Sequence, residues 1–155
     1  MRFKDLNGNG SLDTYEDWRA PTDARVEDLL GQLDLARKAG LMVHPGHGMG
    51  DGGSLAEDTE QWWPGSDAPV ALPGAEELLG RRHVRHVLTR SDETPEVIAT
   101  WNNNIQAFAE RQPLGIPITI STDPRNHFRH SPEATSVQAG EFSQWPEPIG
   151  LAATH

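Results

Sequence analysis

Residues 115–128 read GIPITISTDPRNHF. Ile116, Ile118 and Ile120 alternate with Pro117, Thr119 and Ser121, the period of a β-strand. The strand runs into Asp123, Pro124 and a polar turn. α/β folds present functional side chains at the carboxyl ends of their strands, so Asp123 is a candidate for holding a substrate. Working outward, residues 93–112, ETPEVIATWNNNIQAFAERQ, predict a helix. Thr94 suits the N-cap and Pro95 the first helical position. Ile98, Trp101, Ile105 and Phe108 fall on one face, so Trp101 reads as core rather than as a binding residue. Asn102, Asn103 and Asn104 are poor helix formers, and at least one is expected to bond to a neighbouring loop. Arg111 lies in the last turn, and Pro113 and Gly115 end the helix.

Further upstream, RHVRHVLTR at 82–90 alternates as a strand, with Val84, His86 and Leu88 on one face and Arg85 and Val87 on the other. Strand, helix and strand at this spacing form a βαβ unit with parallel strands and a right-handed crossover. The fold class expected is therefore α/β.

Residues 21–42, PTDARVEDLLGQLDLARKAGLM, predict an amphipathic helix with Val26, Leu29, Leu30 and Leu33 on its apolar face. Pro21 suits its first turn, Gly31 weakens it, and Asp34 caps a second short turn. Leu41, Met42 and Val43 form an apolar run expected to be a strand. Residues 44–75, rich in Gly, Pro and acidic groups, read as one long loop. His44, His47 and Asp51 in it could be drawn as metal ligands, but a glycine-rich loop fixes no geometry for them. Trp62 and Trp63 either stack on sugar faces or pin the loop to the core. Beyond Asp123 the chain is polar, Trp145 lies among prolines, and a helix is expected from Pro148 to Thr154.

Residues 5–16, DLNGNGSLDTYE, match an EF-hand-type calcium loop. Asp5, Asn7 and Asn9 stand at loop positions one, three and five, Gly10 at the sharp turn, and Ser11 at the carbonyl position. Asp13 stands at nine and Glu16 at twelve, the bidentate carboxylate. Calcium takes six to eight oxygens, which alternate residues of a tight loop can supply. Only four residues precede Asp5 and no second loop is visible, so a structural Ca2+ is expected rather than a sensor.

Composition bounds the function. The chain has 155 residues, 35 % of them apolar, and carries a net charge of −10. An acidic chain does not offer the basic face that nucleic acid requires. No cysteine is present, which excludes disulfides and thiolate chemistry. No apolar run approaches the roughly 20 residues of a membrane span. The first residues lack the apolar core of a signal peptide, which leaves a cytoplasmic location, or an exported one if the natural amino terminus lies upstream.

Several segments together resemble the amino-terminal part of family 3 glycoside hydrolases, the β-glucosidase family. They are ARVEDLLGQLDLARKAGLM (24–42), WNNNIQAFAERQPLGIPITISTD (101–123) and EFSQWPEPIGLAAT (141–154). FKDLNGNGSLDTYEDWR (3–19) is similar to bacterial members with a calcium-type loop ahead of the barrel. The resemblance implies residues 1–20 as calcium loop and lead-in. It implies residues 21–155 as the first βα units of a partial (β/α)8 TIM-like barrel. It also implies a retaining hydrolase acting on terminal β-linked glucosides or related sugars. Asp123, at the end of the strand after the N-x-x-x-Q helix, would hold the hydroxyls of the non-reducing sugar. The family's His-Gly after that Asp is absent here, so no role passes to His127. The nucleophilic Asp and the acid/base residue fall later in the family, so none of the catalytic carboxylates is expected in this chain. It would act with the remainder of such an enzyme. Asp123 as nucleophile with Glu141 or Glu147 as acid fits the family pattern poorly. The competing readings are a non-catalytic calcium-binding module built on residues 5–16 and a stand-alone carbohydrate-binding protein.

Overall fold

The computed structural model describes residues 3–62, 65–89, 93–122, 124–125, 137–138 and 145–154. In chain order these form helix α1 (Thr22–Gln32), helix α2 (Leu35–Leu41), strands β1 (Thr59–Gln61) and β2 (Val70–Leu72), and a π-helical segment (Glu76–Arg81). Strand β3 (His86–Thr89), helix α3 (Pro95–Glu110), strands β4 (Thr119–Thr122), β5 (Pro124–Arg125) and β6 (Val137–Gln138), and helix α4 (Pro148–Ala152) follow. The fold is mixed α/β with small sheets, as the βαβ pattern predicts.

The βαβ unit is present. β3 and β4 pair in parallel, with His86 opposite Thr119 and Thr89 opposite Thr122. α3 connects them and starts as read: Thr94 accepts a hydrogen bond from the Val97 amide and Pro95 occupies the first turn. Its stripe forms the core. Trp101 and Ile105 are fully buried beside Leu79 and Val87, with Phe108, Ala109, Val84 and Ile118 in the same cluster. Asn104 donates from Nδ2 to the Gly53 carbonyl at 2.9 Å, the helix-to-loop bond expected of the Asn run. Gly53 must be a glycine there: its φ is +83°, and a Cβ would lie 2.6 Å from the Val97 carbonyl oxygen.

The strand reading of 82–90 is too long. Among its described residues only His86–Thr89 is strand, and its buried members are Val87 and Thr89, with His86 and Leu88 half-buried. Arg85 precedes the strand and turns inward, donating from Nη1 to the carbonyls of Leu79 and Val84 at 2.6 and 2.8 Å. The strand expected at 41–43 is absent. Leu41 closes α2 and Met42 is 87 % exposed, because the cap at Asp34 starts a helix that carries the apolar run to its end. The extended stretch comes slightly later. Gly46 bridges Leu88 in parallel, the His47 amide donates to the Leu88 carbonyl at 3.0 Å, and the Leu88 amide donates to Pro45 at 2.9 Å. Three parallel stretches thus lie side by side in chain order: 45–47, β3, β4.

The 44–75 loop is mostly irregular, as read, but contains the antiparallel hairpin β1–β2, with Thr59 opposite Leu72. α1 spans the expected residues with Pro21 at its N-cap position. Of its apolar face, Leu33 just beyond it is buried, whereas Val26 and Leu30 are exposed. An apolar hollow of about 320 Å³ opens there, between Leu6, Tyr15, Val26, Leu29, Leu114 and Ile116. No described helix is long and apolar enough to cross a membrane.

Candidate functional site

Besides its pairing with β3, the approach to β4 is held by one side chain. Gln106 of α3 donates from Nε2 to the Ile118 carbonyl at 2.7 Å and accepts from the Ile118 amide at 3.0 Å. The side-chain amide thereby acts as a short strand partner for the residue that leads into β4. Gln106 is the Q of the N-x-x-x-Q helix, and sequence reasoning used it only as a landmark. Asn102, the N of that motif, bonds within the helix, to the Ile98 carbonyl at 2.8 Å. Asp123 follows Thr122 directly and lies outside the described residues, as do Trp63, His127 and Glu141.

The parallel sheet has two unlike faces. Val87, Ile118 and the half-buried Ile120 join the α3 core. On the other face, His44 Nε2 lies 2.8 Å from Ser121 Oγ, and its ring meets that of His86 edge-on at 6.4 Å. Ser121 also donates to the Val87 carbonyl at 3.4 Å. This face also carries Leu88, and His86, Leu88 and Ser121 on it are half-buried. His47, two residues on from Pro45, goes the other way: it is buried, and its ring lies 6.3 Å from that of Trp101. Burial holds its imidazole below the usual histidine range. His44 and His47 therefore occupy different surroundings. Among the described residues no group of three His, Cys, Asp or Glu side chains is placed to hold a metal.

Trp62 is 66 % exposed and Trp145 is 60 % exposed, so neither pins its segment to the core. Glu147 sits at the N-cap position of α4 without a capping bond from its side chain.

Residues 5–16 fold into a tight loop knit by the motif's own side chains. The Asp5 carboxylate accepts from the amides of Gly8, Asn9 and Gly10 at 2.7–3.1 Å. Asn7 Oδ1 and Asn9 Oδ1 accept from the Asn9 and Ser11 amides. Asp13 Oδ2 accepts from both Asn7 and Asn9 Nδ2, at 2.6 and 2.8 Å. Glu16 accepts from the Leu6 amide with one oxygen and from the Asp13 amide with the other. The donor set is all hard oxygen, the type calcium takes, but Asp5 Oδ1 and Asp13 Oδ2 each already accept two hydrogen bonds, so a cation there would displace a donor. A cation would compete with the Asn amides for Asp13. The loop is anchored on two sides: the Tyr15 amide donates to Asp28 of α1 at 2.9 Å, and Lys4 pairs with Glu110 of α3. Burial, and then the charges of Glu16, Asp13 and Asp5, push the Tyr15 hydroxyl well above the usual tyrosine range.

A periplasmic β-glucosidase/β-xylosidase of Dickeya chrysanthemi is 42 % identical over 154 residues, 99 % of this chain and 22 % of the relative. Over nearly its whole length this chain is similar to part of β-glucosidases. A β-glucosidase C of Emericella nidulans is 38 % identical over 146 residues, covering 92 % of this chain and 21 % of that protein. A probable β-glucosidase C of Aspergillus oryzae is 35 % identical over 156 residues, covering 94 % and 21 %. The chain thus spans about a fifth of the length of the curated relatives it matches. No family model matches it. The β-glucosidase resemblance read from residues 24–42, 101–123 and 141–154 is borne out by these relatives.

Proposed function

We propose that this β-glucosidase homologue supplies part of the sugar-binding site of a retaining β-glycosidase, family 3 in type, and not its catalytic carboxylates. The reading rests chiefly on identity of 42 % running through nearly the whole chain. The parallel order of 45–47, β3 and β4 supports it, since it is the order of the first strands of a (β/α)8 barrel. Asp123, one residue beyond β4, accepts hydrogen bonds from the hydroxyls of a terminal β-linked sugar. Nucleophile and acid/base would come from sequence outside these 155 residues. Calorimetric titration of the chain with methyl β-glucoside tests the binding role: heat in the parent and none in Asp123→Ala is expected. Hydrolysis of an aryl β-glucoside by this chain alone would refute the division of labour.

Residues 5–16 hold a structural calcium in this reading, through Asp5, Asn7, Asn9, Asp13, Glu16 and the Ser11 carbonyl. Its charge would offset the carboxylates packed into the loop. A rise in thermal midpoint with calcium, lost in Glu16→Gln, is expected; an unchanged parent midpoint at millimolar calcium sinks the assignment.

A further inference from the structure

Arg85 is a buried cation with no counter-charge among the described residues. It is 4 % exposed, and its Nη1 donates to the carbonyls of Leu79 and Val84 at 2.6 and 2.8 Å. Two carbonyl dipoles do not neutralise a full charge. Its Nε is buried and has no hydrogen-bond partner among those residues. Arg19, Arg37, Arg81 and Arg82 each bond to an acidic side chain; Arg85, the buried one, does not. A buried charge is normally paired, or else the group sheds it by changing protonation. Arginine keeps its proton in proteins, so only pairing remains.

Arg85 lines a cavity of about 10 Å³. Leu33, Leu41 and Ile116 wall it with apolar groups, and Arg37 and His83 join Arg85 in lining it. The backbone fixes this meeting. Gly40 of α2 approaches the 82–83 turn so closely that a Cβ there would lie 2.5 Å from the Arg82 carbonyl oxygen. That contact sets Arg37, on the same short helix, beside His83. His83 itself is left-handed, with φ +57°, a conformation uncommon for any residue but glycine. The three groups share one field. Burial, and then the charges of Arg37 and Arg85, hold the His83 imidazole below the usual histidine range. Asp34 acts on His83 in the opposite sense, but it is exposed and already bonded to Arg37. No described carboxylate lines the cavity, in a chain whose net charge is −10.

We infer that this cavity is a binding site for one small monovalent anion, chloride in kind, held by Arg85 with Arg37 and His83 beside it. About 10 Å³ is the room of roughly one water-sized particle, too little for phosphate, sulfate or a sugar acid. A water in the same place would satisfy Nε but leave the guanidinium charge unpaired. The ion fastens α2 to the 83–85 turn and to Ile116 on the approach to β4. The site is independent of the sugar-binding reading.

Urea unfolding of the full chain at constant ionic strength, with sodium chloride replacing sodium gluconate, measures the ion's effect. For a dissociation constant on the order of 10 mM, about 100 mM chloride raises the folding equilibrium constant roughly tenfold. Chlorine NMR gives a direct reading: the protein broadens the chloride line, and bromide narrows it again by competition. Arg85→Met is expected to abolish both responses. Should that variant not fold, Arg37→Gln carries the test: it loses an exposed ion pair that contributes little to stability, and it weakens chloride binding several-fold. A parent whose stability and line width ignore chloride overturns the anion site and leaves a water at Nε. Responses that survive Arg37→Gln undiminished overturn it too, because the ion then binds elsewhere.

Discussion

Gln106→Ala probes how the strand that precedes Asp123 is held. In the parent, one side-chain amide satisfies both the amide and the carbonyl of Ile118, at 3.0 and 2.7 Å. Ile118 is only 5 % exposed, so water does not readily replace the lost partner. Each buried group left unsatisfied costs about 1–3 kcal/mol, and two of them give an expected loss of roughly 2–6 kcal/mol. Urea unfolding followed by tryptophan emission reads it, since Trp101 is wholly buried. Gln106→Glu sharpens the test. Its carboxylate still accepts from the Ile118 amide but faces the Ile118 carbonyl without a proton to donate. The loss should therefore be present near neutral pH and recover as pH falls and the carboxyl protonates. A Gln106→Ala variant within about 0.5 kcal/mol of the parent, with an unchanged denaturant slope, would refute this account of β4.

Three further perturbations follow from the same geometry. Gly115→Ala should lower the thermal midpoint, since φ is +52° and the new Cβ would sit 2.6 Å from the Leu6 carbonyl oxygen; a midpoint equal to the parent's would mean that the calcium-type loop does not press on this turn. His47 is held neutral by burial, so below about pH 6.5 the unfolded chain binds its proton first and stability falls as pH falls. His47→Asn should flatten that part of a urea-midpoint profile between pH 5 and 7, values set by the ordinary range of about 6.5. Tyr15 is the opposite case: its raised range means the unfolded tyrosine ionises first, so stability is present below about pH 10 and is lost as pH rises past it. Tyr15→Phe should remove that alkaline loss.

What the sequence disclosed and what it hid divide along physical lines. α3 was legible because Thr94, Pro95 and a four-residue apolar stripe agree on one answer. α2 hid in plain view: Leu41 to Val43 is a short apolar run, and such runs do not distinguish a helix end from a strand. The parallel stretch at 45–47 has no β-branched or alternating pattern at all; its pairing comes from backbone groups meeting Leu88. The inward turn of Arg85 was likewise invisible, because a charged residue beside a strand gives no sign that two carbonyls wait for it. At the site, Asp123 was read from strand position and resemblance. Gln106 was passed over because a mid-helix glutamine carries no signal of its own until Ile118 is placed against it. Trp62 was left between two readings, and only its exposure separates them.

The two faces of the parallel sheet argue for its role better than any single residue does. One face, with Val87, Ile118 and Ile120, spends its apolar groups on the α3 core. The other carries His86, Ser121 and the adjoining His44 together with the half-buried Leu88. A sheet built only to fold would bury apolar residues on both faces or alternate them with scattered solvent-facing charges. Here the polar groups instead bond to one another across strands, His44 to Ser121, so the face is organised without being covered. That arrangement suits a lined interior near the end of β4, after which Asp123 follows Thr122 in the sequence. If the face is such an interior, His44→Ala should change sugar affinity more than it changes stability, because it breaks an exposed contact and not a core one. Equal loss in both would assign the pair to folding alone.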